Sequence, residues 1–214
     1  MALHIKTGLT APEGFINDVF EIDKITYSPE LCGKIENLSK RYERCRESFL
    51  LLYDEDKLAG YINFFPVGEK LHSEMINRED LRMRDDDISP EEIEDWNCQN
   101  GNNLFILSLA LRPEYRKSKI YNGEAIILLS NSFLEFLREK NTAGYKITSI
   151  SGYAISLGGV KFLKRMNASL LKDTVEKYHF FFANTENVSD FLENGYTFNT
   201  YKKLIRTIFI SLFP

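Results

Sequence analysis

Apolar residues recur at helical spacing in the first part of the chain, and this spacing predicts two amphipathic helices. One repeat runs through Phe15, Val19 and Ile22, and a second occupies residues 35–45. Pro29 lies between the repeats, where it would interrupt a continuous helix. We therefore expect a helix, a break and a second helix before residue 48.

Two runs rich in β-forming residues follow, SFLLLY at 48–53 and LAGYINFFPV at 58–67. The polar connector between them, Asp54-Glu-Asp-Lys57, has the length of a hairpin turn. The two runs are therefore predicted to be adjacent antiparallel strands.

Residues 68–103 are polar and acidic, and Pro90 and Gly101 interrupt their short helical phrases. Between Glu74 and Asp95 there are ten acidic and three basic residues, a local charge of −7. We predict that this segment is an insertion. Its acidic surface is either an ordinary solvated helical face or a surface that attracts a cationic acceptor.

The second half of the chain predicts alternating strands and helices. An unbroken apolar run at 104–111 indicates a buried strand, and a broad apolar helical face follows from Ala125 to Leu137. The pattern continues with a strand, a short helix and two more strands, at residues 146–154, 157–166, 170–175 and 178–183. This order predicts a mixed α/β fold with a largely antiparallel sheet and one parallel βα crossover.

Composition limits the size and class of the protein. With 214 residues and 43% hydrophobic content, the chain can bury a full core, and its size fits one domain with an extension. We divide it into a domain at 1–187, which contains the insertion at 68–103, and a C-terminal extension at 188–214. The net charge of −4 argues against a general nucleic-acid binder.

The cysteines and histidines indicate no metal site. Cys32, Cys45 and Cys98 form no C-x-x-C pair, so neither a disulfide framework nor a zinc site is predicted, and the three histidines are equally scattered. The sequence shows neither a secretory signal nor a run of membrane-spanning length. We expect a cytoplasmic protein with no membrane partner.

The C-terminal apolar segment from Thr207 to Phe213 follows several basic residues. Its alternation predicts a strand or a docking tail, with a membrane-surface helix as the alternative. This segment is also the candidate surface for a homodimer.

The loop after the apolar strand has the features of an anion site. It carries Arg116, Lys117 and Lys119 and leads directly into a helix. Backbone N–H groups at a helix start, together with the helix dipole, favour a phosphate. The alternative is a solvated charged loop that only joins a strand to a helix.

The run Leu111-Arg-Pro-Glu-Tyr-Arg116 resembles the start of the acyl-CoA-binding signature of the GNAT-superfamily N-acyltransferases, in which an apolar strand ends in V-x-P-x-Y-R. The run from Ser156 to Ala168 resembles the N-x-x-A-x-x-x-Y-x-x-x-G-F helix of that family, and the element order is that of the GNAT fold. The resemblance implies that the loop binds the pyrophosphate of coenzyme A and that the strand end binds its pantetheine arm. The implied cofactor-binding residues are Leu109, Ala110, Leu111, Arg116, Lys117, Ser118, Lys119, Ile120, Tyr121 and Ser156.

Several residues depart from the family pattern. Lys119 and Tyr121 stand where the family has small residues, and Leu163 stands where it often has a tyrosine that acts as general acid. The strand before the loop lacks the glutamate frequent in the family and offers only Ser108. Ser108 and Tyr153 are therefore the candidate catalytic residues, although Tyr153 is equally explained as a packing residue with a solvated hydroxyl.

The predicted function is acyl-CoA-dependent N-acyl transfer by direct attack. In its simplest form, an acetyl group passes from acetyl-CoA to a primary amine of a small molecule or peptide. One alternative is a catalytically inactive GNAT-like module that senses CoA or binds a protein partner. Another is an acyltransferase that takes its acyl group from an acyl-carrier protein.

Overall fold

The computed structural model describes residues 3–78, 85–116, 123–174 and 178–195. The strands are β1 (Leu3–Thr7), β2 (Phe49–Asp54), β3 (Lys57–Val67), β4 (Asn102–Leu111), β5 (Ile147–Ala154), β6 (Ser169–Asp173) and β7 (His179–Ala183). The helices are α1 (Phe15–Thr26), α2 (Ile35–Arg44), α3 (Glu69–Asn77), α4 (Glu124–Thr142), α5 (Leu157–Arg165) and α6 (Thr185–Asn194). Within these described ranges, no helix is both long enough and apolar enough to cross a membrane.

The seven strands form one sheet in the order β1-β2-β3-β4-β5-β7-β6. The β4–β5 pair is parallel, and every other neighbouring pair is antiparallel. α4 lies between β4 and β5 in the chain and supplies the crossover that parallel neighbours require. The predicted fold class, a largely antiparallel sheet with one parallel βα crossover, is confirmed.

Helices cover both faces of the sheet. On one face, Phe133 of α4 belongs to a buried cluster that includes Ile62 of β3. On the other face, Val19 of α1 belongs to a cluster that includes Tyr61. Adjacent strand residues point to opposite faces, so Tyr61 and Ile62 serve different layers of the core.

The helices predicted before residue 48 are confirmed as α1 and α2, and the predicted hairpin is confirmed as β2 and β3. The sequence patterns do not predict β1 or α6. β1 is a short edge strand with half-buried side chains, so its alternation extends over few residues. α6 is a short helix capped by Asn184, whose side chain accepts a hydrogen bond from the Asn187 N–H at 3.0 Å.

The described part of the acidic segment packs against the sheet through its apolar residues. Met75 and Ile93 are fully buried and join Phe65 of β3 in a third cluster. The insertion at 68–103 and the domain division at 187 stay predictions. α6, with its buried Val188 and Phe191, runs across residue 187.

Candidate functional site

β4 and β5 separate part-way along their length. The last residues paired in their parallel ladder are Ile106 of β4 and Gly152 of β5. β4 continues to Leu111, where it is paired with Gly60 of β3. The end of β4 is therefore bound to the sheet on one side and leaves an opening on the β5 side.

A β-bulge lies at the point of separation. Asn63 of β3 pairs with Ser108 and the next residue, Phe64, pairs with Ile106, so Leu107 is an extra residue in β4. Bulges bend a strand and increase its local twist. The extra residue also returns Ser108 to the face covered by α1, whereas strict alternation would turn it toward α4.

A cavity of about 590 Å³ occupies this opening. Its walls come from the separated ends of β4 and β5, the end of α1, and the first turns of α4 and α5. Its size is within the range of sites for small ligands and cofactors. Apolar side chains supply much of the lining, including those of Ile106, Leu107, Leu109, Ile126, Phe162 and Leu163.

A chain of polar side chains borders the cavity on the α1 side. Tyr61 of β3 donates a hydrogen bond to Asp23 of α1, and its hydroxyl oxygen lies 2.7 Å from the Ser108 Oγ. Tyr27, which follows α1, has its hydroxyl 2.8 Å from the same Oγ and 3.2 Å from the Leu109 carbonyl oxygen. Asp23 is 7% exposed and Tyr61 is 1% exposed.

The number of protons available fixes the direction of these hydrogen bonds. The Tyr61 phenol has one proton and donates it to Asp23, so Ser108 must donate to Tyr61. The single Ser108 proton is then used, so we assign Tyr27 as the donor in its contact with Ser108, which at 2.8 Å is shorter than its 3.2 Å contact with the Leu109 carbonyl. The donors therefore form one directed path from Tyr27 through Ser108 and Tyr61 to Asp23.

Tyr61 stays neutral in this path. Burial, and then the negative charge of Asp23, hold the pKa of Tyr61 well above its usual value. The phenol can therefore pass a proton along the path but does not itself lose one near neutral pH.

No motif in the sequence marks Asp23, Tyr27 or Tyr61 as a site residue. One signal for Asp23 is present in the sequence, because Asp23 follows Val19 by one helical turn and so lies on the buried stripe of α1. A carboxylate on an apolar helix face needs a partner, and that partner is more than thirty positions away in the chain.

The two predicted catalytic residues, Ser108 and Tyr153, both line the cavity. Tyr153 lies between the rings of Phe105 and Phe180, with centroid distances of 6.2 and 4.8 Å. Its hydroxyl is buried rather than solvated, and no hydrogen-bond partner for it lies among the described residues. Burial, and then the Asp87 charge, raise the pKa of Tyr153, so its phenol is a proton donor at neutral pH. The catalytic roles of both residues stay predictions.

α4 begins beside the cavity. Gly123 precedes its first residue with a positive φ of 80°, and both Gly123 and Ile126 line the cavity. The first backbone N–H groups of a helix have no intrahelical acceptor, and the helix dipole places positive charge there. The start of α4 can therefore stabilise an anion bound at this end of the cavity.

Arg116 connects the end of β4 to α1. Its Nε donates to the Leu111 carbonyl at 2.8 Å and its Nη2 donates to the Thr26 hydroxyl at 2.8 Å. Arg116 also lines the cavity, so the same cavity is bordered by a permanent positive charge and by the start of α4.

The other described cofactor candidates lie on the cavity wall. Leu109, Ala110 and Leu111 pair with β3 and have no strand partner on the β5 side among the described residues. The Leu111 carbonyl accepts from Arg116 Nε, and the Leu109 carbonyl lies 3.2 Å from the Tyr27 hydroxyl. Ser156 caps α5, because its hydroxyl oxygen accepts from the Gly159 N–H at 3.1 Å. The hydroxyl proton of Ser156 has no acceptor among the described residues, so it can be donated to a ligand.

Leu163 lines the cavity, with 3% of its surface exposed, and offers no proton at this position. The remaining predicted cofactor-binding residues, Lys117, Ser118, Lys119, Ile120 and Tyr121, lie outside the described residues. Among the residues that are described, no group of three or more His, Cys, Asp or Glu side chains could hold a metal ion.

Several charges of the acidic segment have partners within the chain. Asp95 lies 2.6 Å from the Arg44 guanidinium, and Asp86 accepts from the Asn37 amide at 2.7 Å. Glu92 accepts from the Ser89 backbone N–H at 2.9 Å. These contacts favour a structural role for this part of the segment.

Solved structures with a similar fold are numerous. The loading GNATL domain of CurA from Lyngbya majuscula has a TM-score of 0.59 and 11% identity, and the match covers 87% of this chain and 99% of that one. The GNAT-like decarboxylase GphF, in complex with isobutyryl-CoA, has a TM-score of 0.59 and 11% identity, with 85% and 99% covered. The PaiA N-acetyltransferase of Thermoplasma acidophilum, in complex with coenzyme A, has a TM-score of 0.51 and 15% identity, with 86% and 99% covered.

The chain has the GNAT fold. The fold expected from the Leu111–Arg116 resemblance is thus confirmed, and the divergence of β4 from β5 in this GNAT fold defines the cavity. No family model matches the sequence, and no curated protein is detectably similar to it. At these identities the likeness shows the fold and leaves the activity to be argued from the site.

Proposed function

We propose that the protein binds an acyl-CoA, in the simplest case acetyl-CoA, between β4 and β5 and transfers the acyl group to a primary amine of a small molecule or peptide. The observation that carries this proposal is the divergence of the two strands after the Ile106–Gly152 pair, which opens a cavity beside the start of α4. GNAT-fold neighbours bound to coenzyme A or isobutyryl-CoA support a CoA thioester as the ligand.

The residues present suit a ligand that is long, partly apolar and anionic at one end. The pantetheine arm would lie along Leu109, Ala110 and Leu111, which lie beyond the end of the β4–β5 ladder and have no strand partner on that side among the described residues. The pyrophosphate would lie at the start of α4, near Arg116 and the loop from Lys117 to Tyr121. The Ser156 hydroxyl would donate to the ligand from the opposite wall.

Acyl transfer to an amine needs a proton acceptor for the amine and a proton donor for the leaving thiolate. Ser108 lies at the bulge, where the apolar cavity meets the polar path from Tyr27 to Asp23. Tyr153 carries a neutral, buried hydroxyl on the same cavity wall. We assign Ser108 to the amine side of the reaction and Tyr153 to the leaving-group side.

The first experiment is calorimetric titration with acetyl-CoA and with free CoA at low ionic strength, followed by an amine panel scored by CoA release. We expect micromolar binding of both ligands and turnover with at least one amine. If neither acetyl-CoA nor free CoA binds, the proposal is overturned.

A second candidate function is a catalytically inactive CoA-binding module. Leu163 favours this second function. In the resemblance to the GNAT-family helix motif, this buried leucine stands where a tyrosine often acts as general acid, and a leucine cannot donate a proton. Binding of acetyl-CoA without turnover across the panel would support this function and exclude transfer to those amines.

We also propose that the acceptor is cationic, that the protein is cytoplasmic, and that it forms a homodimer through Thr207–Phe213. As an alternative to acetyl-CoA, the acyl donor would be an acyl-carrier protein. Discrimination between donors is direct, because a carrier-dependent enzyme would transfer an acyl group from the loaded carrier and not from acetyl-CoA.

A further inference from the structure

We infer that Asp23 is the final acceptor of the proton that the attacking amine loses, and that the proton reaches it through the hydroxyl groups of Ser108 and Tyr61. The inference rests on the proposed acyl transfer and names the proton path for that reaction. Ser108 would touch the substrate, whereas Tyr61 and Asp23 would act through it.

The geometry supplies a continuous path. Ser108 Oγ donates to Tyr61 at 2.7 Å, and Tyr61 donates to Asp23. Tyr27 donates to Ser108, which leaves a second lone pair of the serine oxygen for an amine N–H. Every donor in the path points from the cavity toward the buried carboxylate.

The burial of Asp23 is costly to the fold. Its neighbours on the buried stripe of α1, Val19 and Ile22, are apolar and have no exposed surface. A buried carboxylate needs hydrogen bonds to offset its lost hydration, and an apolar replacement is often neutral or stabilising. A role in proton transfer explains why a carboxylate stands here.

Asp23 is the group at this site suited to accept a proton near neutral pH. Tyr61 and Tyr153 have raised pKa values and stay protonated, and an arginine cannot accept a proton. Among the described residues, these are the titratable and charged groups around the path: Asp23 in α1, Tyr27 after α1, Tyr61 on β3, Tyr115 and Arg116 after β4, and Tyr153 on β5.

The proposed transfer forms one bond, breaks one bond and moves protons along the path. The amine nitrogen forms a bond to the acyl carbon, and the bond from that carbon to sulfur breaks. The amine proton moves to Ser108 Oγ as the Ser108 proton moves to Tyr61 and the Tyr61 proton moves to Asp23. The thiolate takes up one proton from Tyr153, Asp23 returns its proton to solvent, and Tyr153 regains one, so the products are the amide and the free thiol.

The test compares wild-type protein with Asp23→Asn, Tyr61→Phe and Ser108→Ala, using acetyl-CoA and the best amine from the panel. For each variant, the ratio of the wild-type to the variant kcat is measured against pH, because the ratio cancels titration of the amine itself. We expect ratios near one at low pH, where a carboxyl group is already protonated and cannot accept a proton, and ratios of about 10² to 10⁴ at high pH. KM for acetyl-CoA should change less than threefold.

Two further variants make the comparison specific. Ser108→Thr keeps the hydroxyl and should recover most of the activity that Ser108→Ala loses. Tyr53→Phe is the control for loss of a buried tyrosine hydroxyl outside the path. The Tyr53 hydroxyl has no hydrogen-bond partner among the described residues, and its removal should leave kcat unchanged.

The outcomes separate the two proposals. If wild-type protein turns over the amine and all ratios are the same at every pH, the proton path is wrong while the proposed function stands. If wild-type protein binds no acyl-CoA, or binds it without turnover, the transfer function and the proton path fall together.

Discussion

Gly60 of β3 lies so close to β4 that a Cβ atom on it would be 2.6 Å from the Ala110 carbonyl oxygen and in collision with the Leu111 side chain. Ala110 and Leu111 belong to the strand end proposed to hold the pantetheine arm. A glycine is therefore required where β3 holds the free end of β4 in place.

Gly60→Ala is expected to lower the free energy of unfolding by about 1–3 kcal/mol, because backbone atoms cannot move aside as a side chain can. The matched control is Gly158→Ala, where a Cβ atom would meet only the Ser156 Oγ at 3.6 Å. That helical substitution should stabilise the protein by about 0.4–1 kcal/mol. Urea unfolding measures both changes, and equal effects of the two substitutions would contradict the close approach.

The sequence predicts the elements that form the cavity better than the chemistry inside it. The apolar run at 104–111 and the phrase Leu111–Arg116 are local patterns, so they indicate β4, the loop and α4 directly. The path from Ser108 to Asp23 joins residues separated by 47 and 38 positions, and no local pattern reports such contacts. Its members come together only after the sheet has formed.

The bulge at Leu107 decides which face of the sheet Ser108 lies on. Strict strand alternation from Phe105 places Ser108 on the α4 face, away from Tyr61. The extra residue reverses this orientation, and the sequence LFILSLAL gives no sign of it. A single unpaired residue thus decides whether the serine reaches the polar path.

Tyr153→Phe is expected to raise the free energy of unfolding by about 1 kcal/mol while lowering kcat at least tenfold. The hydroxyl is buried without a partner among the described residues, so removing it relieves a desolvation cost. Under the proposed function the same hydroxyl protonates the leaving thiolate. Thermal unfolding and steady-state kinetics measure the two effects. An unchanged kcat would remove Tyr153 from the reaction.

Cys45 should make stability fall at alkaline pH. Burial, and then the Glu47 charge, raise the pKa of the Cys45 thiol to about 11. The folded pKa lies above the unfolded value of about 8.5. The protonated Cys45 thiol therefore makes its full contribution to the free energy of unfolding below about pH 8.5, and this contribution disappears as pH rises to about 11. The loss amounts to about 3 kcal/mol at most.

Cys45→Ala isolates this contribution. The variant should be less stable than wild type at pH 7.5, because it leaves a small cavity, and its stability should fall less steeply above pH 9. Cys98→Ala, at an exposed thiol, should follow the wild-type curve. Urea unfolding between pH 7.5 and 10.5 measures these curves, and parallel curves for wild type and Cys45→Ala would rule out the assignment.

Arg116→Ala is expected to weaken acetyl-CoA binding by about 10- to 100-fold at low salt, since charged hydrogen bonds contribute about 1.5–3 kcal/mol. The loss should shrink as ionic strength rises and screens the phosphate charge. Thr26→Val is the matched control, because it removes the Thr26 hydroxyl that anchors Arg116 at 2.8 Å but keeps the guanidinium charge. It should change the affinity less than threefold. Calorimetry at two salt concentrations distinguishes the roles: equal losses in both variants would mean that Arg116 matters for joining β4 to α1 and not for holding a phosphate.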